Sequence, residues 1–135
     1  MITAVDTNVL LDLLGADPEF GPSSREALRN ARRNGKLIAC DVVWAETGAS
    51  FESVDGARSA LETLGVEYSP LDSDAALSAA QSWRSYRRDG GPRERVVADF
   101  LVAAHAQAHA DQLLTRDRGF YRSRFESLTI VDPTA

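Results

Sequence analysis

Cysteine is nearly absent from this 135-residue chain: Cys40 stands alone, so no internal disulfide can form and nothing points to an oxidising compartment. Its place at the end of LIAC suits a small core residue better than a nucleophile. Long apolar runs are missing too. None approaches the roughly 18 residues that a membrane span needs, and the opening MITAVDTNVLLDLL carries neither a basic leader nor a small-residue cleavage site. We therefore expect a cytoplasmic protein with no membrane partner. No glycine-rich phosphate loop follows an apolar run, which argues against a P-loop nucleotide site. Ser50 and Ser69 lack an evident base and a nucleophile elbow, which disfavours Ser-His-Asp chemistry. His105 and His109 lie one helical turn apart, but HAQAH lacks the glutamate of a metalloprotease motif and no third ligand is evident, so packing or surface roles are expected.

What is present is a hydrophobic content of 44%, enough for one compact domain over residues 1–135 with a real core. ITAV, KLIAC, VEYSPL, DQLLT and the weaker LTIV read as strands. Between them lie helical patterns: NVLLDLL, stopped by Gly15 and Pro18; SREALRNARRN, with Ser23 and Glu26 as a capping box; and VVWAETGASFES, capped by Asp41. A helix from about Gly56 to Leu64 follows, then DAALSAAQSWRSYRR with Asp72 and Ser73 as caps, ERVVADFLVAAHAQAHA, and a last turn in RDRGFYRS. Strands alternating with helices, with no hairpin dipeptide, imply crossovers and a mainly parallel sheet. Trp44 and Trp83 fall on helical faces as core or interface residues, with Trp83 or Tyr86 the alternative as base-stacking platforms.

Four acids stand out against this pattern. Asp6 ends the first strand, Glu46 lies beside an apolar stripe of Val42, Val43, Ala45 and Ala49, Asp99 is surrounded by Val96, Val97, Phe100, Leu101, Val102 and Ala103, and Asp117 lies just past the fourth strand. A carboxylate among aliphatics must be paired, protonated or bound to a cation, because an isolated buried charge is very costly. Each has an ordinary alternative: Asp6 as a helix cap, Glu46 as a boundary charge, Asp99 paired with Arg95 one turn earlier, Asp117 as a turn acid. Their joint placement favours a shared site, since ligands of open α/β sheets bind outside the carboxyl ends of the strands where strand order reverses. An oxygen-only cluster suits a hard ion such as magnesium or manganese.

The charge balance, 15 bases against 20 acids, argues at first against a nucleic-acid partner. Set the four acids aside, however, and sixteen acids face fifteen bases. Fourteen of those bases are Arg, a residue suited to bidentate phosphate contact. They concentrate beside two of the acids: Arg84, Arg87, Arg88, Arg93 and Arg95 precede Asp99, and Arg116, Arg118, Arg122 and Arg124 surround Asp117.

The sequences VDTNVLLDLL, WAETGAS, ADFLVAAHA and LLTRDRGFY, in that order, resemble a PIN-domain ribonuclease, and more narrowly a VapC-type toxin of a type II toxin–antitoxin system. The resemblance spans essentially the whole chain. It implies a Rossmann-like, three-layer α/β/α sandwich with a mainly parallel sheet, and a magnesium- or manganese-dependent endoribonuclease, with one or two ions, that cuts tRNA or ribosomal RNA and so inhibits translation. On it, Asp6, Glu46, Asp99 and Asp117 form the catalytic, metal-binding quartet, and Thr115 is a hydroxyl-bearing partner of the last acid. Thr7 or Asn8 is expected to orient the first carboxylate, and Arg116 with Arg93 or Arg95 to contact RNA. The implied partners are a VapB-like antitoxin and a second copy of the chain. Rival readings are a non-catalytic RNA- or protein-binding module of the same fold, and a phosphatase-like hydrolase with Asp6 as nucleophile. The second wants an Asp where this chain has Asn8, and a later Lys that it lacks.

Overall fold

The computed structural model describes residues 1–92 and 96–135. In chain order its elements are β1 (Ile2–Val5), α1 (Thr7–Leu14), α2 (Gly21–Arg33), β2 (Lys36–Ala39), α3 (Asp41–Gly48), α4 (Val54–Leu64), β3 (Val66–Tyr68), α5 (Ser73–Arg88), α6 (Val97–His109), β4 (Gln112–Leu114), α7 (Arg118–Arg124) and β5 (Ile130–Val131). The strands form one sheet ordered β3-β2-β1-β4-β5. Every pairing is parallel, with Ala4 opposite both Ile38 and Leu113. The chain moves leftward from β1 to β3, then crosses back to β4 and on to β5. Right-handed crossovers, the near-universal choice, put the helices of the two halves on opposite faces of the sheet. Accordingly α2 packs on β2 and α4 on β3, whereas α6 packs on β1 and β4 and α7 on β5. This is the expected three-layer arrangement, and its strand order reverses between β1 and β4. Among the described residues no helix is long and apolar enough to cross a membrane.

The sheet's interior is the run of Ala4, Val5, Leu37, Ile38, Ala39, Leu113 and Leu114, all 3% exposed or less. Fully buried strands of this kind read as continuous apolar runs because helices cover both faces. Cys40 is buried and unbonded, as its context suggested. Phe100 on α6 centres an aromatic cluster, with its ring 5.3 Å from Tyr86, 5.4 Å from Phe120 and 5.8 Å from Phe125. Tyr86 also donates its hydroxyl to the Pro92 carbonyl at 2.6 Å. Gly91 lies against the same ring, where a Cβ would come within 2.4 Å of Tyr86 carbon atoms. Tyr86 is therefore a core residue and not a base-stacking platform, while Trp83 is half-buried with Arg87 5.1 Å over its ring.

Local starts differ from expectation at several places, each for a visible reason. The Ser23–Glu26 capping box does not form: Asp17 Oδ1 accepts the Glu19 and Phe20 amides, and the helix begins at Gly21 with Pro22 in its first turn. Proline suits that turn because its missing N–H would have had no helical partner. Asp41 does not cap α3; Cys40 holds that position, and the Asp41 carboxylate instead accepts Tyr68 Oη and the Leu71 amide, both at 2.7 Å. The helix from Asp41 ends at Gly48, and Ser53, accepting the Gly56 amide at 3.0 Å, starts α4 two residues before the expected glycine. Asp72 caps α5 as expected, through Ala75 N at 2.8 Å. Both histidines pack: His105, 1% exposed, meets Ser69 Oγ at 2.9 Å, and His109 meets Asp72 Oδ2 at 2.7 Å.

Because Phe100 is wholly buried among three other rings, truncating it leaves a cavity that rigid neighbours cannot fill. Phe100→Ala should lower the unfolding free energy by about 3–5 kcal/mol, read as a shifted urea midpoint at unchanged slope.

Candidate functional site

Asp6 emerges at the switch between β1 and β4. Its amide donates to the Leu114 carbonyl at 3.0 Å, adding a last rung to the β1–β4 pairing, and its residue is the N-cap of α1. The chain thus turns from strand to helix around one carboxylate, 8% exposed. Oδ1 accepts the Thr7 amide at 2.8 Å. Oδ2 accepts Thr115 Oγ1 at 2.9 Å and Tyr121 Oη at 3.1 Å, and Asn8 Nδ2 lies 3.5 Å away. Capping and site chemistry are therefore compatible here, since one oxygen serves the helix and the other faces three donors.

Those donors are themselves tied together. Asn8 Nδ2 also donates to Thr115 Oγ1 at 3.2 Å, and Asn8 Oδ1 accepts the Arg116 amide at 3.1 Å. Thr115 Oγ1 accepts the Asp117 amide at 3.0 Å, so the Thr115 hydroxyl links the first and last acids of the proposed set. Thr7 Oγ1 donates to Glu46 Oε1 at 2.7 Å, which connects α3 to the same point. Asp99 sits in the first turn of α6 and accepts the Val96 amide on Oδ2 at 3.3 Å.

Despite four donors, Asp6 stays harder to ionise than a free carboxyl. Burial is the main cause that lifts its carboxyl from 3.8 to about 6; the hydrogen bonds from Thr115, Thr7 and Tyr121 pull it down, and Asp99 pushes it up. The phenol of Tyr121, 1% exposed, is held far above its ordinary range, first by burial and then by the negative charges of Asp6, Asp99 and Asp117. Three of the four acids thus press on one buried hydroxyl, and the fourth joins through Thr7.

The acids differ in burial, which corrects the picture of four buried charges. Only Asp6 is buried; Asp99 and Asp117 are half-buried and Glu46 is exposed. The stripe said to lie beside Glu46 is narrower than expected, because Val43 and Thr47 point inward while Ala45 and Ala49 are exposed. Among the described residues, no three Asp, Glu, His or Cys side chains stand close enough to form a ready-made metal cage. The donor set fits a hard ion all the same: it is oxygen-only, burial disfavours the charge of its central carboxylate, and magnesium takes one or two carboxylates directly while keeping several waters.

The Arg116 guanidinium is paired within the fold: Nε lies 2.6 Å and Nη2 3.0 Å from the two oxygens of Asp12, and the guanidinium stacks 4.0 Å over the Phe20 ring. Arg118 pairs with Asp132 at 3.3 Å and Arg124 with Asp89 at 3.3 Å. Arg93 and Arg95 lie outside the described residues. Arg84, Arg88 and Arg122 are exposed. Sequence reasoning missed Tyr121 and Asp12. The signal for Tyr121 was its place one turn beyond Asp117, which brings it back toward the end of β4; Asp12 gave none, as it reads as an outward charge on α1.

A family model described as the PIN domain matches residues 3–126. Solved structures of similar fold include VapBC2 from Rickettsia felis bound to a DNA fragment from their promoter, with TM-score 0.76, 17% identity and 98% of each chain covered. VapBC-1 from nontypeable Haemophilus influenzae has TM-score 0.75, 20% identity and 100% of both chains covered. A toxin–antitoxin complex from Klebsiella pneumoniae has TM-score 0.72, 20% identity and 97% of each chain covered. No curated protein matches the chain.

The raised carboxyl of Asp6 has a sign in stability. A group shifted from 3.8 to about 6 stabilises the fold fully below its unfolded value, and that contribution is lost as pH rises through about 6. In chelator-treated protein, the unfolding free energy of the parent relative to Asp6→Asn should fall by about 2.5 kcal/mol from pH 4 to pH 7.5. A pH-independent difference between the two proteins would assign Asp6 an ordinary capping role.

Proposed function

We propose that this chain, which belongs to the PIN domain family, is a magnesium- or manganese-dependent endoribonuclease and the toxin of a VapBC-type toxin–antitoxin pair. The observation that carries the reading is the arrangement around Asp6: a buried carboxylate whose donors are already in place, still short of positive charge, with Asp99 and Asp117 acting on the same hydroxyl. Asp6, Glu46, Asp99 and Asp117 would hold one or two ions. When bound, such an ion lowers the pKa of an attacking water and screens the charge that develops on a phosphodiester.

The protein's own part is orientation. Thr115 and Tyr121 fix the Oδ2 edge of Asp6, and the Thr7 amide fixes the Oδ1 edge, so both edges of this carboxylate are held by donors. Thr7 also holds Glu46, an exposed residue of α3, through a single hydroxyl contact. Asp99 is set at the start of α6 by its bond to the Val96 amide, and the Phe100 cluster beneath anchors that turn. Pre-set donors of this kind cost no reorganisation at the moment of reaction.

RNA has to approach an acidic chain. The exposed Arg84, Arg88 and Arg122 would add to the contacts expected of Arg93, Arg95 and Arg116. Salt dependence should be correspondingly modest, because few phosphates are neutralised. Shape and splayed bases select the RNA, which agrees with a target in structured tRNA or ribosomal RNA. The partners we assign are a VapB-like antitoxin, in keeping with the complexes whose fold the chain shares, and a second copy of the chain.

Purified protein should cut structured RNA in the presence of magnesium or manganese, leave 5′-phosphate and 3′-hydroxyl ends, and stop on addition of chelator. Asp6→Ala and Asp99→Ala should each slow cutting by about 10²-fold or more while keeping the circular dichroism of the parent. RNA binding without metal-dependent cleavage would support the non-catalytic module instead.

A further inference from the structure

The turn that carries Thr115 and Asp117 has an arginine between them, and that arginine is taken up elsewhere. The Arg116 guanidinium meets both oxygens of Asp12 in a fork-to-fork pair, at 2.6 and 3.0 Å, with the Phe20 ring 4.0 Å beneath it. Asp12 lies on α1, with its side chain 6% exposed, and Oδ2 also accepts Ser24 Oγ of α2 at 2.9 Å. The Arg116 side chain is 28% exposed. Asp17 and Asp132 add further negative charge around the guanidinium. On the backbone side, the Arg116 amide is bonded to Asn8 Oδ1, and Asn8 in turn reaches Thr115 and Asp6.

A pair of this kind adds little to stability as such. Desolvating both charges offsets most of their attraction, and apolar residues of similar volume often serve as well or better. What a bidentate fork does supply is geometry, since two parallel N–H···O contacts fix orientation as well as distance. Here the geometry is that of residues 115–117 against α1, the two segments that between them carry Asp6, Asn8, Thr115 and Asp117. The fork also settles where one positive charge goes. Arg116 is one residue from Asp117 and its side chain is long enough to turn toward the acids.

We propose that Asp12 is a positioning residue of the site: by claiming the Arg116 guanidinium it locks the 115–117 turn onto α1 and keeps that cation away from the carboxylates. The inference rests on the metal-dependent nuclease reading above. Asp12 touches none of the four acids, so its effect runs through Arg116.

The test compares the parent, Asp12→Asn, and the double variant Asp12→Leu/Arg116→Met. Two readouts are taken on each: turnover and KM for a structured RNA, and thermal stabilisation by manganese alone, titrated to half-maximal effect. The double variant replaces the pair by apolar groups but leaves the buried Ser24 hydroxyl without its acceptor, so its melting temperature should fall by a few degrees at most. Its turnover should fall about 10- to 100-fold with KM little changed, because the misplaced turn costs orientation and not binding. Asp12→Asn frees the guanidinium beside the acids, and the manganese concentration for half-maximal stabilisation should rise about tenfold or more. A folded double variant that turns over within about twofold of the parent overturns the positioning role. If the double variant does not fold, the Asp12→Asn titration decides, and half-saturation equal to the parent's overturns the proposal. A parent that neither cuts RNA nor is stabilised by manganese sinks the nuclease reading, and this inference goes with it.

Discussion

A carboxylate held at the point where a parallel sheet reverses direction sets most of the other constraints in this protein. Asp6 cannot move, because its amide is a rung of the β1–β4 pairing and its residue caps α1. It cannot be left bare either, because burial makes an unassisted charge prohibitively costly. The chain answers with donors drawn from widely separated segments: Thr7 and Asn8 from the same turn, Thr115 from the end of β4, and Tyr121 from α7. These lower the cost without removing it, and the carboxyl remains near 6. Asp99 makes the deficit worse. A buried carboxylate that stays harder to ionise than a free one despite its donors is one whose charge a nearby cation would stabilise.

That arrangement explains why the fold was largely legible in the chain and the site only partly so. Strand and helix identities follow from burial period, and buried parallel strands such as KLIA and QLL announce themselves by unbroken apolar runs. Asp6 and Asp117 could be found because chain order alone puts strand ends at one edge of such a sheet. What could not be read was burial. Glu46 shares a helix with Val43 yet faces solvent, since an eight-residue helix leaning on α1, α4 and α6 buries only a narrow stripe. Helix starts were misjudged where a neighbouring segment took the capping group, as Tyr68 and Leu71 do with Asp41. Side-chain pairing across 104 residues, as between Asp12 and Arg116, leaves no mark on local pattern at all.

The arginines show the same limit from the other side. Nine of them crowd near Asp99 and Asp117 in sequence, which suggests a cationic face. In the fold several turn to internal partners: Asp12, Asp132 and Asp89 each take one, and the rings of Phe20, Trp83 and Tyr86 lie under three guanidinium groups. Arginine's delocalised, weakly hydrated charge makes it the cation best suited to half-buried pairs and to stacking. Composition therefore overstates the charge offered to a phosphate backbone, and the residues left at the surface matter more than the count.

The two kinds of pairing bear on each other. If an arginine adjacent to the acids were unclaimed, the cheapest way to relieve the charge on Asp6 would be to swing it in, since an internal cation needs no association step and loses little translational freedom. The site would then be self-neutralised and its affinity for an external ion lowered. Pairing Arg116 with Asp12, and Arg118 with Asp132, satisfies each of these guanidinium groups on an aspartate outside the proposed quartet.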